Sequence, residues 1–348
     1  MERRACGRSG PALPLLGVGC WSFGGGSYWG DQDQREVDGV VSAALEHGCA
    51  FFDTAEGYND GRSEESLGRA LQGRRDRAVI ASKVSPNHCA PGQIRLHCEA
   101  SLSRLATDVI DIYMLHWPLN PLAIRHFAAE SGVQKALPRL ADVWTQMEGL
   151  RKEGKIRHFG VSNFGPEQLA EAAACGAEVV CNEVPYSLLS RAIEGEVLPA
   201  CAQAGIGVLG YMPLMQGLLT GAYDSADGLP PNRARTRHFR GDRPGSRHGE
   251  PGHEKDTFDA VRSLRAIAAR EGLPLERLAI AWSVARPGVT CAITGARNAA
   301  QLVANARAAS LPLAPRLVAE MDAATEPLKK AMGRSVDLFE SSADSRTR

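Results

Sequence analysis

Along the chain, short apolar runs rich in β-branched residues alternate with longer stretches whose apolar positions recur every three to four residues. The short runs predict strands and the longer rhythm predicts amphipathic helices. Strand-like runs cover residues 16–19, 50–53, 78–83, 109–116, 156–161, 179–184, 207–211 and 289–294, eight in all. Helical patterns occupy 34–47, 63–71, 93–105, 141–153, 166–174, 195–204, 277–285 and 299–308, with a further one at 316–331. Strand and helix alternating about eight times predict an α/β fold, a single (β/α)8 TIM barrel over residues 1–348 with a C-terminal helical extension. Residues 334–348, acidic and serine-rich, are expected to fray.

The rival architecture is an open doubly wound sheet. Its dinucleotide fingerprint fails, because Gly17-Val18-Gly19-Cys20-Trp21-Ser22 lacks the third glycine and no helix opens until about Asp31. Two connections, 119–137 after the fourth strand and 222–254 after the seventh, are too long for ordinary strand-to-helix links. Such loops lie at the carboxyl face of a barrel, where they act as functional lids. The second carries Arg233, Arg235, Arg237, Arg240, Arg243 and Arg247, which fits either a solvated loop or a phosphate-facing lid.

Charge removes some functions. With 40 basic and 40 acidic residues in 348, the chain lacks the net field that draws proteins onto nucleic acid or anionic membrane. No apolar run approaches the ~20 residues of a membrane span, and prolines and glycines interrupt the amino-terminal segment where a signal peptide would be apolar, so a cytoplasmic location is expected. The nine cysteines are scattered without Cys-x-x-Cys, which predicts reduced buried thiols. Neither the cysteines nor the histidines have metal-ligand spacing, and no metal site is expected.

A barrel places chemistry at the carboxyl ends of its strands, and strands two, three and four end on Asp53, Lys83 and His116, with Tyr58 just beyond the second. Each alone has an ordinary structural explanation. Together they are harder to assign to packing, because Lys83 ends an apolar strand and needs a partner that Asp53 can supply. A lysine ammonium is expected to pull the tyrosine pKa below ~10 and make Tyr58 a usable acid. His116 would hydrogen-bond a substrate oxygen or assist proton transfer. The set can protonate an alkoxide but holds no reducing equivalent, so carbonyl reduction would need a hydride-donating cofactor.

Six separated segments, in order and over nearly the whole chain, resemble the aldo-keto reductase superfamily. The segments are 52–58 with 61–65 behind it, 101–116, 154–164, the Asn182-Glu183-Val184-Pro185-Tyr186 stretch, 210–220, and Gly295-Ala296-Arg297-Asn298 with Gln301 and Asn305. The resemblance implies a barrel that binds a nicotinamide dinucleotide without a Rossmann domain. It gives catalytic roles to Asp53, Tyr58, Lys83 and His116, carboxamide contacts to Ser162 and Asn163, and ring stacking to Tyr211. Met212, Leu214, Gln216, Gly217 and Leu218 would approach the pyrophosphate; Gly295, Arg297, Gln301 and Asn305 would meet the adenosine end. Arg297 beside a helix start suits a 2′-phosphate, which favours NADPH over NADH. Glu183 stands where the family commonly has glutamine; an ionised carboxylate there can accept from the carboxamide nitrogen but cannot donate to its oxygen, and is expected to favour NADP+.

Trp21, Tyr28, Trp29 and Trp117 are candidate walls for a small aldehyde or ketone. The expected function is NADPH-dependent, reversible reduction of a carbonyl, with hydride from the nicotinamide and a proton from Tyr58. A cofactor-binding regulatory subunit on the same fold is the alternative. A Schiff-base aldolase is disfavoured because Asp53 would keep Lys83 protonated. Monomer and homo-oligomer both remain open.

Overall fold

The computed structural model describes residues 1–127 and 137–347. Its strands are β1 (Arg3–Ala5), β2 (Ala12–Pro14), β3 (Leu16–Gly19), β4 (Phe51–Asp53), β5 (Val79–Val84), β6 (Ile110–Leu115), β7 (Ile156–Ser162), β8 (Val179–Pro185), β9 (Gly207–Tyr211) and β10 (Val289–Thr294). The helices are α1 (Gln34–Glu46), α2 (Arg62–Ala70), α3 (Gln93–Leu105), α4 (Pro121–Phe127), α5 (Leu140–Lys152), α6 (Pro166–Ala174), α7 (Val197–Ala204), α8 (Glu254–Arg270), α9 (Leu275–Ala285), α10 (Ala299–Ala309) and α11 (Pro315–Met332). Strands β3 to β10 close into a parallel barrel in sequence order, with β10 returning to β3 in the register Leu16 to Ala292 and Val18 to Thr294. This is the (β/α)8 architecture that the alternation predicts.

Alternation along each strand sorts the apolar residues into two layers. Phe51, Ala81, Ile112, Met114, Cys181, Leu209, Cys291 and Ile293 fill the barrel. Their outward neighbours, such as Phe52, Ile80, Tyr113 and Val208, pack on the buried helix faces, including Val37, Val40 and Val41 of α1. Gly17 shows why β3 carries glycines: a Cβ there would lie 2.5 Å from Cδ1 of Phe51. All nine cysteines are free thiols. Among the described residues, no helix is long and apolar enough to cross a membrane.

Four features depart from the sequence reading. Strands β1 and β2 form an antiparallel hairpin that caps the amino-terminal end of the barrel, adding Cys6 and Leu13 to its interior. Arg4 anchors it on the carbonyls of Val284 and Val289, each at 2.8 Å. Arg3-Arg4-Ala5 and Ala12-Leu13-Pro14 hold too few large apolar residues for a run to register, unlike the equally short Phe51–Asp53. Helix α8 follows the long connection after β9 and buries Phe258, Val261, Leu264 and Ile267; its many charged residues masked that stripe.

The long connections are also more ordered than solvated loops. The 119–137 segment opens with α4, while residues 128–136 lie outside those described. In 222–254, Thr236 to Phe239 are buried. Arg237 pairs with Glu250, Arg240 with Asp242, Arg243 with Asp227 and Glu254, and Arg247 with Glu340. Only Arg233 and Arg235 of the six arginines lack a carboxylate among the described residues, so the loop is not a general phosphate-facing surface.

The segment expected to fray is packed instead. Asp337 and Arg346 form a buried bidentate pair at 2.7 and 2.8 Å, and the guanidinium lies 3.8 Å from the Trp117 ring centroid. Its polar composition concealed an ion pair that satisfies itself. Burial pushes the Asp337 carboxyl up, but the hydrogen bonds and charge of Arg346 outweigh it and hold the carboxyl below its usual range. A depressed carboxyl pKa stabilises the fold fully above the unfolded value and loses that contribution as pH falls. Release of residues 333–347 is therefore expected as pH drops below ~4. Arg346→Met should release them at neutral pH, at a cost of about 3–5 kcal/mol for breaking a buried pair. Limited proteolysis checks both, and a wild-type cleavage rate for the variant would refute this role for Arg346.

Candidate active site

The same alternation that fills the barrel continues to its carboxyl rim. Phe51 leads to Asp53, Ala81 to Lys83, Met114 to His116, Cys181 to Glu183 and Leu209 to Tyr211, so each of these polar residues emerges on the inward side of its strand. The backbone beyond β4 then turns sharply. Asn59 and Asp60 adopt positive φ of 52° and 57° ahead of Gly61 at 85°, a conformation that asparagine and aspartate tolerate better than most residues. The Asn59 side chain donates to the carbonyls of Trp21 and Phe23 at 2.7 and 2.9 Å, and Ser63 donates to the Cys20 carbonyl at 2.7 Å. These bonds fix the Tyr58 loop against the loop that follows β3.

Lys83 is fully buried. Its Nζ donates to Asp53 Oδ1 at 2.5 Å, to the Thr54 carbonyl at 3.1 Å and to the Tyr58 hydroxyl at 3.4 Å, and lies 3.4 Å from Glu183 Oε2. Burial would lower the lysine pKa, but the neighbouring acids, Asp53 first, outweigh it and keep the ammonium charged. The phenol behaves differently from the sequence expectation. Burial raises the Tyr58 pKa, and the pull of Lys83 is partly undone by Asp53 and Glu183, so the net shift is upward. Tyr58 is a neutral phenol.

Burial, followed by the Lys83 charge, drives the His116 pKa well below the ordinary imidazole value. A neutral ring thus faces Tyr58, with ring centroids 5.6 Å apart, and its Nδ1 has no partner among the described residues. Glu183 also reverses an expectation. It is 3% exposed, and burial together with the Asp53 charge raises its pKa well above the carboxylate range. That shift favours the un-ionised acid and so works against the NADP+ preference expected of an ionised carboxylate here.

The other candidate cofactor residues follow the ends of β7, β9 and β10. Asn163, at φ 63°, donates to the His116 carbonyl at 3.2 Å and to Ser162 Oγ at 2.9 Å, and accepts from the Tyr211 hydroxyl at 2.7 Å. Met212, Leu214, Gln216, Gly217 and Leu218 form the turn after β9, where Met215, Gln216 and Gly217 all have positive φ. Arg297 donates to the carbonyls of Trp29 and Asp31, while Gln301 accepts from the Arg297 N–H at 2.8 Å. Asn305 donates to the Gly295 carbonyl at 3.3 Å. All of these lie on one rim of the barrel.

The aromatic candidates separate. Trp21 stacks on Tyr28 with centroids 4.7 Å apart and lies 6.0 Å from the Tyr58 ring. Tyr28 and Trp29 bridge to the turn after β9: the Tyr28 hydroxyl donates to Gln216 Oε1 at 2.9 Å, and Arg235 and Arg233 lie 4.8 and 5.4 Å from the Tyr28 and Trp29 ring centroids. Trp117 is buried beneath Arg346.

One cluster escaped the sequence reading altogether. Glu56 accepts from Ser85 N–H at 2.8 Å and pairs with Nδ1 of His88 at 2.8 Å and of His97 at 2.6 Å, tying the Tyr58 loop to α3. Burial raises the Glu56 pKa, but these hydrogen bonds outweigh it and the carboxyl is strongly depressed. The two rings are stacked at 3.7 Å with 13° between their planes. In-plane lone pairs on parallel rings do not converge, so this is hydrogen-bonding rather than metal-ligating geometry. His88 and His97 lie 32 and 41 residues from Glu56, which leaves no local spacing to detect.

The description of the Aldo/keto reductase family matches residues 15–326. The chain is 33% identical over 319 residues to the aldo-keto reductase YhdN of Bacillus subtilis, covering 87% of each chain. It is 30% identical over 337 residues to an NADH-specific methylglyoxal reductase of Escherichia coli, covering 90% of this chain and 95% of the relative. Among solved structures, an aldo-keto reductase from Klebsiella pneumoniae in complex with NADPH superposes with a TM-score of 0.70 at 29% identity, covering 93% of this chain and 95% of that one. The fold, the rim of inward polar residues and these likenesses agree: the chain belongs to the aldo/keto reductase family, whose members are nicotinamide-dependent carbonyl oxidoreductases.

Proposed function

We propose that the protein reduces a small aldehyde or ketone to the alcohol, reversibly, with NADPH as the preferred coenzyme and Tyr58 as the proton donor. The observation that carries this reading is the Tyr58 hydroxyl 3.4 Å from a buried ammonium that Asp53 grips at 2.5 Å. Buried polar atoms without protein partners are rare. Here Trp29 Nε1, His116 Nδ1, Glu183 Oε2, Gln216 Nε2, Arg233 Nε and Arg235 Nε have none among the described residues. A polar ligand along this rim fits them, and a nicotinamide dinucleotide offers a carboxamide, a ribose, a pyrophosphate and a second ribose in that order.

When bound, the reduced nicotinamide supplies the hydride that no side chain here can furnish. The remaining work falls to the chain. His116, kept neutral, hydrogen-bonds the substrate carbonyl oxygen. Tyr58 gives its proton to the oxygen as negative charge develops there, and the Lys83 ammonium stabilises the phenolate left behind. Asp53 holds Lys83 charged and oriented. Ser162, Asn163, Glu183 and Tyr211 would hold the nicotinamide end; the turn at Met212, Leu214, Gln216, Gly217 and Leu218, with Arg233 above it, would hold the pyrophosphate. Gly295, Arg297, Gln301 and Asn305 would hold the adenosine end.

The related proteins span both coenzymes, so the preference rests on Arg297. Its guanidinium has no carboxylate partner among the described residues and stands beside Asn298, which caps the start of α10. A guanidinium and exposed helix amides together favour a phosphate dianion. Trp21 beside Tyr58 supports a small, partly aromatic wall for the substrate.

Tyr58→Phe is expected to lower kcat by about 10²–10⁴-fold while leaving NADPH affinity, read by fluorescence titration, near wild type. A variant with wild-type kcat would remove Tyr58 from its role. Arg297→Met is expected to weaken NADPH binding by about tenfold or more, one charge-assisted hydrogen bond's worth, and to leave the NADH Kd within about twofold. Equal weakening of both coenzymes would contradict a 2′-phosphate contact.

A further inference from the structure

The catalytic cluster holds one carboxyl more than its lysine can neutralise. Asp53 Oδ1 and Glu183 Oε2 lie 2.5 and 3.4 Å from the same Nζ, all three side chains are at most 5% exposed, and Lys83 is the only cation in contact with either carboxyl among the described residues. With both carboxyls ionised the buried cluster would carry a net negative charge, which is strongly unfavourable at such depth. Two acids sharing one site avoid this by retaining a proton between them. The shorter contact to Lys83 belongs to Asp53, and Glu183 Oε2 has no hydrogen-bond partner among the described residues, so the proton belongs on Glu183.

We propose that Glu183 is the proton store of the site, refilling Tyr58 through Lys83 after each reduction. This rests on Tyr58 being the donor. Reduction breaks the Tyr58 O–H bond and leaves a phenolate 3.4 Å from Nζ. The ammonium passes one proton to the phenolate oxygen, forming the O–H bond again and becoming an amine. Glu183 then gives its carboxylic proton to that amine across the 3.4 Å contact, restoring the ammonium and leaving a carboxylate. Water later returns one proton to Glu183. No electrons move in these steps, and charge is conserved at each. Glutamine at this position would bind a carboxamide equally well but has no proton of this acidity to give. Glu183 acts through Lys83 and is a positioning and proton-storing residue.

The groups that face Glu183 set the pH at which the store empties. Burial and the charge of Asp53 from β4 disfavour its ionisation, and Lys83 from β5 favours it; Tyr58 from the following loop, Tyr211 from β9 and Cys181 on its own strand face it as neutral groups, each with its own pKa raised. His116 from β6 faces the same lysine and is neutral. Ionisation of Glu183 is expected to cause an alkaline fall in kcat.

Infrared difference spectroscopy of the coenzyme-free protein near pH 8, where ordinary carboxyls are ionised, tests the store without reference to activity. The wild type is expected to show the carbonyl stretch of an un-ionised carboxylic acid, shifted in D2O. Glu183→Gln should lack the band. Asp53→Asn should lack it too, because Lys83 then has a single carboxylate and Glu183 ionises against it. The alkaline fall in kcat should disappear in Glu183→Gln. Absence of the band from the wild type, its survival in Glu183→Gln, or an unchanged alkaline limb in that variant would each overturn the proposal. Tyr58→Phe keeps the band under this scheme, so wild-type turnover in that variant would defeat the donor reading separately from the proton store.

Discussion

The site is organised by a single buried positive charge. Lys83 is surrounded by Asp53, Glu183, the Thr54 carbonyl and the Tyr58 hydroxyl, and the protonation state of each neighbour follows from how that charge is divided. Burial above all, with the Asp53 charge, outweighs the pull of Lys83 and leaves the phenol neutral and ready to donate. The same ammonium, behind the effect of burial, keeps His116 unprotonated. One acid, one hydrogen-bonding imidazole and one fixed cation therefore arise from a common electrostatic source.

The barrel makes that arrangement possible through strand alternation. A residue two positions beyond an interior Phe, Ala, Met, Cys or Leu must point inward, and at the carboxyl rim the barrel widens enough to admit polar atoms. Because the strands are covered by helices outside and by a filled interior below, the rim residues are desolvated on most sides. That desolvation raises Tyr58 and Glu183 and lowers His116 more than any single charge does. The loops add confinement: Asn59 joins the Tyr58 loop to the Trp21 loop, and Tyr28 joins that loop to Gln216 across the groove.

Sequence exposed the features that have a period or a fixed place on a strand. Eight strands and most helices were legible from apolar spacing, and Asp53, Lys83 and His116 were legible because they end strands. What stayed hidden depends on distance in space. The hairpin at Arg3 to Pro14 holds too few large apolar residues for a run to register, and α8 carries its apolar stripe among many charges. Asp337 with Arg346, and Glu56 with His88 and His97, are partners that only folding brings together. The Tyr58 shift was misread, and the state of Glu183 stayed open, for a related reason: a residue type announces a charge, but the number of carboxyls around one lysine is a property of the packed rim.

The order in which the barrel closes has a consequence for how the chain acquires this structure. Strand β3 pairs with β4 nearby in sequence and with β10 more than 270 residues later, and Arg4 of the amino-terminal hairpin reaches carbonyls at Val284 and Val289. Until β10 docks, β3 presents an unpaired edge, and the hairpin beneath it lacks its anchor. Contacts of such long sequence separation slow folding, and open edges invite pairing with other chains. A growing chain thus carries its most association-prone surface for most of its synthesis, and that exposure ends only when the last strand slots in beside the first.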